Sequence, residues 1–327
     1  MHGIYHCRTE HLPAWANRCW LAQLSTFNLS RASLSRYLWL SVAAAVVTIG
    51  FKYAAYYVTD SVGLLSDALE SLVNLAAALI ALGTIRTAAR PPDDAHAYGH
   101  DKAEYFSSGA EGILILAAAL GIGWSAFTRF YSPQPIQNAA VGLTLSALAS
   151  SINLVVGLVL VRRGRARNSI ALEADGQHLL SDVLAASGVF VGVLAVSITS
   201  WAWLDPAVAL AVATYIVWTG FQLVQRSARG LLDPAFPEIQ LEQIRDVLNR
   251  YGREQSVLYH ALRTRQSGAR KFMSVHILVP DDWTVRRGHD LCTAIERELY
   301  ALFPEITINT HLEPVNDPTS WKDLEVR

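Results

Sequence analysis

Long apolar runs broken by short charged connections dominate the first 230 or so residues. Between Arg36 and Asp60 the only ionisable side chain apart from tyrosine is Lys52. A helix of that length crosses a hydrocarbon core of about 30 Å. Ser61 to Ile85 forms a second run, interrupted by Asp67 and Glu70. Glu111 to Arg129 and Arg129 to Arg162 are the third and fourth, with Ser132-Pro133-Gln134-Pro135 breaking the latter into a turn. Asp182 to Asp205 and Asp205 to Arg226 complete the set. They divide near Trp201-Ala202-Trp203-Leu204-Asp205-Pro206, where the aromatics suit a membrane interface and Asp-Pro suits a helix start. The pattern predicts six membrane spans.

After Asp233-Pro234 the periodicity changes. Ile239, Ile244, Val247, Leu248 and Tyr251 recur at helical spacing, and Val257 to Thr264 and Lys271 to Val279 are rich in strand formers. Leu291, Ile295, Leu299 and Leu302 mark a second helix, and Ile306, Ile308, Thr310 and Leu312 alternate as a half-buried strand. Helix, strand, strand, helix, strand predicts a small α+β unit.

Composition fits this division. Of 327 residues 52% are hydrophobic and 17% charged, with a mean hydropathy of +0.24, which is too apolar for a water-soluble globule of this length. A net charge of −1 supplies no basic field for nucleic acid. Cys7, Cys19 and Cys292 can make neither a disulfide scaffold nor a CxxC site. Arg31, Arg36, Arg86, Arg90, Lys102, Arg162, Arg163, Arg165, Arg167, Arg226 and Arg229 fall at the N-terminal end, the second and fourth connections and the exit of span six, while Arg129 alone sits at the opposite side. The positive-inside rule therefore predicts that both termini are cytoplasmic. Residues 1–33 show no continuous apolar core ahead of a cleavage site and are read as an extension rather than a signal peptide.

Charges inside a span cost on the order of 2.5–3.5 kcal/mol each on insertion scales, so those present call for a reason. Asp67, Glu70 and Asn74 share one helical face in the second span, and Asp175, His178 and Asp182 share one at the start of the fifth. Glu70, Asn74, His178 and Asp182 offer four oxygen or nitrogen ligands, enough for a tetrahedral divalent cation site. Without an ion, the same groups would act as interhelical glue. Asp93, Asp94, His96, His100 and Asp101 crowd the connection between spans two and three, where a second metal site and a merely solvated loop both fit. In the α+β unit, His260, His276, His289 and His311 are joined by Glu313, with His311 and Glu313 two apart on one strand face. No nucleophile, base and orienting group occur together, and no phosphate-binding glycine loop is present, so the reading is not an enzyme.

Four segments carry a resemblance. Ser61-Val62-Gly63-Leu64-Leu65-Ser66-Asp67-Ala68-Leu69-Glu70-Ser71-Leu72-Val73-Asn74, Asp93-Asp94-Ala95-His96-Ala97-Tyr98-Gly99-His100-Asp101-Lys102-Ala103-Glu104 and Glu173-Ala174-Asp175-Gly176-Gln177-His178-Leu179-Leu180-Ser181-Asp182 resemble the cation diffusion facilitators, as does His260-Ala261-Leu262-Arg263-Thr264-Arg265-Gln266-Ser267-Gly268. The similarity runs from about residue 34 to about 316. It implies an all-α six-helix transmembrane bundle over 34–230 and a ferredoxin-like cytoplasmic domain over 235–316 that binds metal and dimerises, followed by a tail over 317–327. It also implies a homodimer in a lipid bilayer, expected to be a bacterial inner membrane, exporting metal as protons enter. The transport site implied is Glu70, Asn74, His178 and Asp182, with Asp67 one turn from Glu70. A second site implied is Asp93, His96 and His100, and a third is His260, His276, His289, His311 and Glu313. Lys102 and Asp233 fall where relatives form an interhelical ion pair. Zinc-type members usually carry two aspartates, or histidine and aspartate, at the span-two positions. Glu70 and Asn74 depart from this, shifting the set towards harder ligands that admit manganese or iron beside zinc. Zinc heads the implied cargo, with manganese, iron, cobalt and cadmium behind it. A different class, a membrane-bound metal sensor or scaffold without transport, stays open on Asn74.

Overall fold

The computed structural model describes residues 34–59, 62–131, 139–199, 201 and 203–324. The extension over 1–33 lies outside them, as do several side chains within helices, including those of residues 62–70. Six long helices come first: α1 (Ser35–Thr59), α2 (Val62–Ala88), α3 (Ala103–Tyr131), α4 (Ala139–Ala166), α5 (Ile170–Thr199) and α6 (Leu204–Leu231). Five of them are long and apolar enough to cross a membrane; in α2 the apolar stretch reaches only from Asn74 to Ala88 among the described residues. The outward faces expose Leu120, Trp124 and Ile198 by about 70%, which suits lipid rather than water. Trp201 and Trp203 stack at 5.8 Å in the turn between α5 and α6.

Helices α3 and α6 pack along their length, as do α4 and α5, and α1 packs against α2 and α4. Glycine sets the closeness of the α4–α5 contact. A Cβ on Gly176 would sit 2.7 Å from the Val161 backbone nitrogen, and one on Gly164 would sit 2.6 Å from that of Glu173. Without side chains there the two backbones touch, a small-residue contact common between membrane helices. Gly176 lies two residues before His178, so this contact fixes the height and rotation of the α5 ligand stripe. Below it, buried Glu173 receives Arg165 Nε–H at 2.9 Å and Arg226 Nη1–H at 2.6 Å, tying the ends of α4 and α6 to the start of α5.

The rest of the chain forms α7 (Glu238–Gln255), β1 (Leu258–Ser267), β2 (Arg270–Val279), α8 (Val285–Leu302), β3 (Ile306–Pro314) and a short 3₁₀ turn (Pro318–Leu324). This is the helix, strand, strand, helix, strand order that the periodicity predicts. The sheet has the order β1-β2-β3, antiparallel between β1 and β2 and parallel between β2 and β3. Both helices bury one face against it: Ile244, Val247 and Leu248 from α7 and Leu291, Cys292, Ile295 and Leu299 from α8 meet Met273, Val275, Ile277 and Val279. Thr284 caps α8, its side chain accepting the Arg287 N–H at 3.3 Å. The crossover from β2 to β3 through α8 is long enough to allow parallel pairing.

The two parts are bolted together at the α2–α3 connection. Arg270 at the start of β2 pairs with Asp101 at 2.8 Å, the aspartate fully buried. Lys102 reaches Asp233 at 3.0 Å, and Arg265 reaches the same carboxylate at 3.3 Å. The Arg265 guanidinium also lies over Tyr98 and Phe272, at 4.5 and 4.2 Å from their ring centres. Gly268 N–H donates to the Tyr105 hydroxyl at 2.9 Å. Gly99 takes a positive φ of 86°, and a Cβ there would strike the Arg270 guanidinium at 2.7 Å.

Candidate metal sites

Three groups of polar side chains have the chemistry to hold a cation. In the helical domain, Asn74 of α2 stands between two residues of α5. Its Nδ2–H donates to Asp182 Oδ2 at 2.5 Å, and its Oδ1 accepts from His178 Nε2–H at 2.6 Å. Asn74 and His178 are buried and Asp182 is half-buried; His178 and Asp182 line a small cleft with Ile115, Ile122 and Ile216. Asn74, His178 and Asp182 are therefore one cluster across two helices. Asp67 and Glu70 lie on α2, Glu70 one turn from Asn74, but their side chains fall outside the described residues. An amide oxygen only accepts, so His178 carries its proton on Nε2 here, and its buried Nδ1 has no hydrogen-bond partner among the described residues. The amide thus occupies the direction from which an ion would meet both partners.

A turn deeper towards the soluble unit lie two more buried carboxylates. Glu111 on α3 accepts from Ser107 at 3.3 Å, while Asp175 shares the face of His178. Asp175 appeared in the sequence as part of a stripe; Glu111 appeared only as the boundary of a span.

The second group sits on the α2–α3 connection. Asp93 Oδ1 accepts the backbone N–H of His96 at 2.7 Å and of Ala95 at 3.1 Å. Its carboxylate faces His96 Nδ1 at 3.2 Å and His100 Nε2 at 3.4 Å, and the two imidazoles lie 4.3 Å apart. One ligand atom from each of Asp93, His96 and His100 lies within 4.8 Å of the others. Asp101 belongs elsewhere, turned into the ion pair with Arg270. The hydrogen bond from the His96 N–H holds the Asp93 carboxyl below its ordinary value of 3.8. A carboxyl lowered by the fold adds stability only above its ordinary value, and that contribution fades as pH falls through the lowered one. The turn should therefore persist from neutral pH to about pH 4 and loosen below it, read as faster hydrogen exchange at the Ala95 and His96 amides. Asp93→Asn should loosen it at pH 7, seen as faster exchange of the same two amides.

The third group comes from strand register. His260 on β1 pairs directly with His276 on β2, and His276 pairs directly with His311 on β3, so three imidazoles form a line across one face of the sheet. Glu313 stands two residues beyond His311. It meets His260 Nε2 at 2.9 Å, His276 Nδ1 at 3.2 Å and His311 Nε2 at 3.4 Å. A bulge follows His260, with Ala261 at a φ of 49°, and shifts the register before Arg263; such bulges re-aim neighbouring side chains. His260, His276 and Glu313 offer ligand atoms within 4.8 Å of one another. His311 is the open edge, its side chain 65% exposed. His289 lies apart on the exposed side of α8, because Gly288, Leu291 and Cys292 are the positions that face the sheet.

A polytopic helical domain with a ligand cluster between two helices, joined to a histidine-bearing α+β unit, defines a membrane protein built to handle metal ions. Comparison with known proteins agrees. Residues 38–232 match the cation efflux transmembrane domain, and residues 236–315 match the cytoplasmic domain of cation efflux proteins. The chain belongs to the cation efflux family, the cation diffusion facilitators. It is 48% identical over 292 residues to a Synechocystis protein named uncharacterized transporter sll1263, covering 89% of this chain and 94% of that one. It is 31% identical over 276 residues to the cation-efflux pump FieF of Serratia proteamaculans, covering 84% and 90%. A solved structure of CzrB in its zinc form is 34% identical, covering 26% of this chain and 96% of that one at a TM-score of 0.25.

Proposed function

We propose that this protein exports a divalent metal cation across a bacterial inner membrane in exchange for protons. The observation that carries the reading is the meeting of Asn74, His178 and Asp182 across the α2–α5 contact. An ion entering from the cytoplasm displaces the amide bridge and takes up His178, Asp182, Asn74 Oδ1 and the Glu70 carboxylate one turn away on α2. Binding needs a neutral imidazole and ionised carboxylates, so protons and metal compete for the same atoms. Rocking of the helices then turns the site outward, where protons displace the ion. In this reading all six helices span the membrane, α2 included, and both termini and the α+β domain lie in the cytoplasm with the basic connections. Two copies associate as a homodimer. The connection cluster and the histidine line take metal as reporters of cytosolic load rather than as steps in the path, and His289, facing away from its own cluster, is available to the second copy.

Zinc is the leading cargo. The neutral amide of Asn74 removes one negative charge from the set and leaves it harder, which brings manganese, iron, cobalt and cadmium within range. Purified protein in vesicles carrying a pH-sensitive dye tests the reading: zinc added outside should drive proton counterflow, and the rank order of metals identifies the cargo. Zinc uptake at the rate of empty vesicles, with metal still bound, would favour a sensor or scaffold instead. Asn74 supports that second reading, since it already satisfies both His178 and Asp182 by hydrogen bonds.

A further inference from the structure

After β3 the chain turns back over the histidine line. Val315 N–H donates to Val279 O at 2.9 Å, and Asn316 N–H donates to Asp281 Oδ1 at 3.3 Å. Asp317 opens the 3₁₀ turn, its carboxylate accepting Thr319 N–H at 2.8 Å and Thr319 Oγ1–H at 2.7 Å; the backbone bond holds its carboxyl below the usual range. Buried Ser320 donates its hydroxyl to Pro314 O at 2.9 Å, and Trp321 Nε1–H donates to Val315 O at 3.0 Å. These bonds lay the indole nearly parallel to the His260 ring, with centroids 5.7 Å apart and planes 19° apart. The match to the family's cytoplasmic domain ends at residue 315, just before this turn.

We propose that Trp321 is a positioning residue for the histidine-line metal site, fixing the His260 ring and closing the β1 end of the site so that a bound ion leaves only past His311. The inference rests on the reading of His260, His276 and Glu313 as metal ligands. His260 is 7% exposed, whereas His311 at the other end of the line is 65% exposed. The cover therefore lies on one side. An imidazole that gives its lone pair to a divalent ion becomes electron-poor, and the face of an indole attracts such a ring more than it attracts the free one. Trp321 thus favours the metal-bound state over the empty one, which a residue serving only to hold the tail in place would not do.

The test uses full-length protein in detergent, loaded with zinc and mixed with a chromogenic chelator. The release phase absent from His260→Ala belongs to the histidine line. Trp321→Ala should speed that phase about two- to tenfold, the range expected from one aromatic stack, while leaving the thermal midpoint of the metal-free protein unchanged. Trp321→Phe keeps a ring over His260 without the Nε1–H bond and should release within about twofold of wild type. Unaltered release from Trp321→Ala overturns the positioning role. An equal acceleration in Trp321→Phe also overturns it, assigning the effect to the hydrogen bond to Val315. A release profile that His260→Ala leaves intact overturns the metal-site reading itself, and the positioning role with it.

Discussion

Asp182→Ala is expected to lower zinc flux into reconstituted vesicles on the order of a hundredfold or more, to the background of empty vesicles. Asp182 supplies a full negative charge at the cluster, and Asn74 beside it supplies none. Removing that carboxylate leaves a dication in a low-dielectric site with the α2 glutamate as its main counter-charge. His178→Ala should fall nearly as far, because it removes the imidazole ligand of the cluster. Combining the two should add little, since groups that act as one unit do not contribute additively. The informative control is Asp182→Asn, which keeps the hydrogen bond to Asn74 in form but not the charge. If charge is the determinant, the asparagine variant fails like the alanine one; wild-type flux from either would remove Asp182 from the pathway.

The second large effect concerns the joint between the domains. Arg270→Ala should destabilise the folded protein by about 3–5 kcal/mol, because it strands the Asp101 carboxylate in a buried position. In a thermal melt of the detergent-solubilised chain this corresponds to a fall of roughly 5–15 °C. Asp101→Asn with Arg270→Ala should recover much of the loss, since no charge is then left buried. A single Arg270→Ala variant that melts with wild type would show that solvent reaches Asp101 once the arginine is gone. The salt bridge between Lys102 and Asp233 is half-exposed on both sides. Its loss alone should cost far less, of the order of a surface pair.

How much of this was legible beforehand follows from the range of each interaction. The succession of long helices in the first part of the chain was readable because an apolar run and a charged connection are local properties. The same holds for the i, i+4 stripes on α2 and α5, which put Asn74, His178 and Asp182 on inward faces before any packing was known. Spacing could not show that β1, β2 and β3 would align His260, His276 and His311 in one row, because register is set by turns, a bulge and a crossover. It grouped His289 with them by proximity in sequence, whereas the amphipathic phase of α8 turns that residue outward. It likewise grouped Asp101 with the loop ligands, although its partner is Arg270 in the other domain. Trp321 carried no signal at all, since a lone tryptophan near a terminus has no period or spacing to read.

The placement of the cluster on the helix contacts has one further result. Asn74 arrives on α2, which packs mainly with α1, while His178 and Asp182 arrive on α5, held backbone to backbone against α4 through Gly164 and Gly176. The contact between α2 and α5 themselves is slight by comparison. In the proposed transport cycle, an ion held by both acts as a rivet across this thin seam, and its departure frees the two helices to slide.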